Sequence, residues 1–187
     1  MVKKVNAVCG LAIIASVLLH IICVVYCYLT FSYKPILTNV TAYTTLVLTG
    51  LHILLSGIIV FFMHDRGRGM FYPGLNIRTL IQRITAVLMI LMLILHLNTF
   101  KLLSYSAGSN KLLFSAVIIL QVLFFGVTLL HIAVSAGNTL ITLGMISTEK
   151  TRRNLDITVW IICTVIFAVL TVSVIRTEFI MFGGGGV

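Results

Sequence analysis

Apolar runs of membrane-crossing length recur along this chain, separated by short polar segments. At 1.5 Å per residue, about twenty apolar residues in a helix match a hydrocarbon core of roughly 30 Å. The pattern predicts five such helices: Val5 to Leu29, Thr41 to Met63, Arg83 to Ser104, Leu112 to Ile146 and Ile157 to Ile175. The expected fold is an all-α membrane protein, a single bundle of five transmembrane helices over residues 1–182. Residues 183–187 are expected to be a flexible glycine-rich tail, since they offer nothing to pack. The fourth helix is the long one, roughly 50 Å by rise, so it must tilt, bend or project. Gly126, Gly137 and Gly144 offer places for bending or close approach.

Composition sharpens this reading. With 60% hydrophobic residues, 9% charged residues and a mean hydropathy of +1.18, little is left for a soluble domain. The net charge of +9 suggests nucleic acid only until the cations are placed. They lie between the apolar runs, as topology requires, and no nucleic-acid partner is expected. One side collects Lys3, Lys4, Arg66, Arg68, Arg78, Arg83, Lys150, Arg152 and Arg153, and the other Lys34, Lys101, Lys111 and Arg176. The N-terminus is therefore expected in the cytoplasm and the C-terminus outside. The first apolar run is too long, and too free of a small-residue cleavage site, for a signal peptide. Cys9, Cys23, Cys27 and Cys163 sit within apolar runs without a CxxC pair, which fits packing rather than zinc or redox chemistry.

Candidate chemistry rests on His20, His52, His96 and His131, one in each of the first four runs. Ionisable groups at membrane depth are costly and mark function by default. Hydrocarbon favours neutral imidazole, the form that binds metal. A proton relay would call for carboxylates, and Asp65, Glu149, Asp156 and Glu178 all fall at or near the expected span ends. Zinc or copper would need several donors converging at one depth. One histidine per helix suits haem, with an axial ligand on either side, so four ligands make two haem b groups. With both axial positions filled, such a centre carries electrons rather than oxygen. Ser16, Ser56 and Ser135 lie four residues from a histidine on the same face and are candidate partners for its second ring nitrogen. His64, beside Asp65 and Arg66, reads as an interfacial histidine outside this set.

Two motifs flank the histidines. Arg78-Thr79-Leu80-Ile81-Gln82-Arg83-Ile84-Thr85-Ala86 opens the run that ends in Leu95-His96. His131-Ile132-Ala133-Val134-Ser135-Ala136-Gly137 is followed by Leu140-Ile141-Thr142-Leu143-Gly144-Met145. Together they resemble the five-helix, di-haem cytochrome b membrane anchor of succinate dehydrogenase and fumarate reductase complexes. That resemblance implies pairing of His20 with His96 at an outer haem and His52 with His131 at an inner one. It also implies propionate contacts at Asn6, Arg83 and Thr142, and a quinone site near the outer haem that could use Tyr33, Lys34, Asn98, Lys101 or Tyr105.

The family role implied is electron transfer between an iron–sulfur subunit, which carries a flavoprotein on the cytoplasmic face, and a quinone such as menaquinone. The setting would be a bacterial or archaeal cytoplasmic membrane. The chain alone would transform no dicarboxylate. Ala86 stands where the family usually has glycine, Leu143 where an aromatic is common, and Leu130 where some members carry a proton-transferring glutamate. A proton route through such a glutamate is therefore not expected. The alternatives are a di-haem anchor of another membrane dehydrogenase, whose families tend to place two histidines on one helix, and a haem-free transporter or structural membrane protein.

Overall fold

A computed structural model describes residues 1–32, 35–62, 73–107 and 110–182, and over them the chain is helical without strands. The helices are α1 (Val2–Thr30), α2 (Pro35–Phe62), α3 (Pro73–Leu97), α4 (Thr99–Ser106), α5 (Lys111–Thr142) and α6 (Glu149–Phe182). All except α4 are long and apolar enough to cross a membrane. The chain is thus read as a multi-pass membrane protein.

The boundaries follow local chemistry. α2 and α3 begin on Pro35 and Pro73, where a missing N–H costs nothing in a first turn. α3 therefore starts ten residues before the expected Arg83, and Arg78 is a helical residue rather than a link cation. The third expected span is also divided. At Asn98 the backbone leaves helical geometry and the side-chain amide donates to the Ile94 carbonyl over 2.9 Å, separating α3 from α4. α5 opens on Asn110, whose side chain accepts from the Leu113 N–H at 2.9 Å.

α5 stops at Thr142, short of the expected Ile146, because Gly144 takes φ +77°. Its N–H donates to the Ile141 carbonyl and that of Met145 to Leu140, both at 3.0 Å. This reciprocal pair closes the helix end, so Gly144 terminates α5 rather than bending it. An alanine at position 144 is expected to cost about 1 kcal/mol, since a Cβ disfavours that φ. A thermal melt in detergent measures it.

At 34 residues, α6 is longer than α5 and runs well beyond the expected 157–175 at both ends. Two acids expected near span ends thereby fall inside it. Asp156 pairs with Arg78, and Glu178 is only 1% exposed with no hydrogen-bond partner on either oxygen.

α1 packs against α2, α5 and α6, while α3 packs against α5. Leu129, Ala133, Cys163 and Leu170 form a core between α5 and α6, joined by Ile21 and Val25 of α1. There Gly126 lets the Phe167 ring approach to 3.4 Å of where a Cβ would sit. A second core at the opposite end from the N-terminus joins Leu103 of α4 to Phe114, Val117 and Ile118 of α5. The most apolar stretch of α2 has no buried residue. The four cysteines are free thiols, and Cys9, Cys27 and Cys163 are buried.

Candidate functional site

α1, α2, α3 and α5 surround a cavity of about 350 Å³, within the range of small-molecule and cofactor sites. It is lined deep down by Ile13, Ile14, Met89, Leu93 and Phe124, and at the N-terminal end of the bundle by Lys3, Asn6, Ser56, Asn138, Thr139 and Thr142. The result is an apolar body with one polar mouth. The narrow face of α1 at Gly10 contributes, since a Cβ there would stand 3.7 Å from the His52 ring.

His52 from α2 and His131 from α5 both line this cavity. Thr85 of α3 lies 2.9 Å from Nδ1 of His131, while its own hydroxyl donates to the Ile81 carbonyl at 2.8 Å. With that proton committed, Thr85 accepts from His131 Nδ1–H, and the Nε2 lone pair of His131 is left for a ligand. Nδ1 of His52 is buried without a partner. So are the hydroxyls of Thr128 and Ser135, which also line the cavity. A buried polar atom without a partner costs about 1–3 kcal/mol. Three such groups belong to residues of this one cavity wall, each atom itself covered.

His20 and His96 lie towards the other end, on α1 and at the last turn of α3. Nδ1 of His20 is 3.2 Å from Thr41 Oγ1, whose proton goes to the Leu37 or Thr38 carbonyl. Nδ1 of His96 is 3.1 Å from Gln121 Oε1, which also accepts from Thr99. Both rings thus share the assignment found at His131, with Nδ1 as donor and Nε2 as a lone pair. His96 stacks on Phe124 at 4.7 Å between ring centres, and the hollow beside it holds only about 20 Å³. This pair offers the donors without a formed cavity; Phe124 is the wall shared by the two sites.

The ring partners are not the serines expected from helical spacing. Ser16 bonds Thr45 at 2.7 Å, and Ser56 bonds the Asn6 side chain at 3.4 Å. Ser135 lines the cavity without a bond. Asn6 and Thr142 stand at the polar mouth as expected, but Arg83 is exposed and absent from the lining, where Gln82 takes its place. Lys3 and Asn138 join the mouth, which the sequence motifs did not indicate. Asn98, Lys101 and Tyr105 are exposed, and none lines the hollow beside His96. Tyr33, Lys34 and His64 lie outside the described residues. Among the described residues, no three His, Cys, Asp or Glu side chains gather as a metal-ion site.

No protein-family model, no curated protein and no solved structure matches the chain significantly.

Proposed function

We propose that this chain is the membrane-anchor cytochrome b subunit of a succinate dehydrogenase or fumarate reductase complex. In this reading it holds two haem b groups between histidine pairs, His52 with His131 and His20 with His96. The observation that carries it is the inner cavity, apolar within, polar at one mouth and faced by two imidazoles on different helices. A haem bound between two histidines supplies one-electron transfer with no open position for oxygen.

The side chains divide that task. His52 and His131 would hold the haem iron, and Thr85 keeps the proton of His131 on Nδ1 so that Nε2 stays available. Lys3, Asn6, Asn138 and Thr142 would receive propionate carboxylates at the mouth. The apolar helix faces exclude water. At the outer pair Thr41 and Gln121 play the part of Thr85; opening that site requires Phe124 and its neighbours to give way. Electrons would leave for a quinone at the outer face. The cationic segments at the N-terminal end would face the cytoplasm of a bacterial or archaeal cell, where the iron–sulfur subunit docks.

Thr85→Val keeps the side-chain shape but removes the acceptor for His131. It is expected to weaken haem binding by about 10–100-fold, while Thr85→Ser preserves it, as read by haem titration. The assignment to this dehydrogenase class is tested by gentle purification from native membranes. Co-purification with a flavoprotein and an iron–sulfur protein, in a complex that exchanges electrons between succinate and a menaquinone analogue, is the expected result. A haem-loaded chain that isolates with a different dehydrogenase contradicts it.

A further inference from the structure

The polar cluster with the clearest geometry outside the cavity joins α3, α5 and α6. Arg78 of α3 meets Asp156 of α6 through two parallel bonds, Nη1 to Oδ2 and Nη2 to Oδ1, both at 2.9 Å. Its Nε donates to the main-chain carbonyl of Val134 on α5 at 2.7 Å. The pair is mostly covered, with side-chain exposures of 20% and 25%, and fits over Gly137, where a Cβ would lie 2.8 Å from Asp156 Oδ1. Arg152 is a further cation acting on Asp156.

The position matters more than the bond. Val134 is three residues from His131 and Gly137, under the ion pair, is six, so the pair stands within about two helical turns of that ligand along α5. The same helix that presents Arg78 presents Thr85 to the His131 ring two turns later. Charges that are mostly covered act over longer distances than fully solvated ones. The ion pair itself adds no net charge to this end of α5, whereas loss of either partner would change the local charge by one unit.

We infer that the Arg78–Asp156 pair tunes the reduction potential of the inner histidine site by holding two opposite charges together within two helical turns of His131. This rests on the haem reading above. The two residues are positioning groups, since neither lines the cavity. Asp156→Asn leaves an unpaired cation, which favours the reduced state and raises the potential. Arg78→Gln leaves an unpaired anion and lowers it. Arg78→Lys keeps the charge, and the double variant R78Q/D156N keeps the balance, so both stay near the parent value.

A spectroscopic redox titration of the full chain in detergent reads all four variants. Opposite shifts in the two single variants, with little change in the Lys and double variants, are expected. A purely structural clamp would move both single variants in the same direction, or neither, and that result overturns the inference. Should the single variants fail to load haem, the Lys and double variants carry the test, and a displaced potential in either overturns it. If the parent chain takes up no haem under any condition, the functional reading itself falls, which is a distinct outcome.

Discussion

Replacing His131 by alanine is expected to remove about half of the haem absorbance of the purified chain, with the remainder still low-spin. His52→Ala should give the same result, because the two rings face one cavity and a single axial nitrogen cannot hold the pair geometry. The signal that survives belongs to His20 and His96, whose ring protons are held by Thr41 and Gln121 independently of the inner cavity. Pyridine haemochrome content per chain provides the measurement. Loss of both haems from either inner variant would show that the two sites do not bind independently. No loss from either would remove these residues as ligands.

Gly137→Ala is expected to lower the stability of the bundle by about 1–3 kcal/mol, the usual range for overpacking. On helix propensity alone it should gain about 1 kcal/mol. Propensity loses because the new methyl would stand 2.8 Å from Asp156 Oδ1 and 3.2 Å from Arg78 Nη2. Relief requires displacing the carboxylate and breaking the bond that ties α6 to α3. Gly50→Ala supplies the contrast, since nothing lies within 4 Å of its Cβ position, and its melting temperature should hold or rise. Thermal melts of the two variants in the same detergent compare them; equal behaviour would mean that Gly137 is not a close-approach site.

His96 stands in the last turn of α3 rather than mid-span, although the presence of one histidine in each of the first four apolar runs was legible in the sequence. The ring partners were not. Helical spacing ties a residue to its own helix, so Ser16 and Ser56 looked suitable, whereas Thr41, Thr85 and Gln121 reach the rings from neighbouring helices. Such partners depend on how each helix is rotated in the bundle, which no single run encodes. Arg78 illustrates the same limit. Counted as a cation between spans, it became a structural residue once Asp156, 78 positions away, faced it across α5. Glu178 does stand near a helix end, four residues before α6 stops, but its burial there depends on packing between helices that the run itself does not encode. Gly144 fitted either a bend or an end, and only its positive φ decided between them.

The central claim is that the cavity between His52 and His131 holds a haem ligated by both. Its most direct test is the reduced-minus-oxidised visible spectrum of the purified protein after incubation with haemin, beside the His52→Ala/His131→Ala double variant. The account expects sharp low-spin b-type bands in the parent chain and loss of the inner-site component in the variant. A parent chain that stays colourless after reconstitution, or a double variant with an unchanged spectrum and haem content, contradicts it.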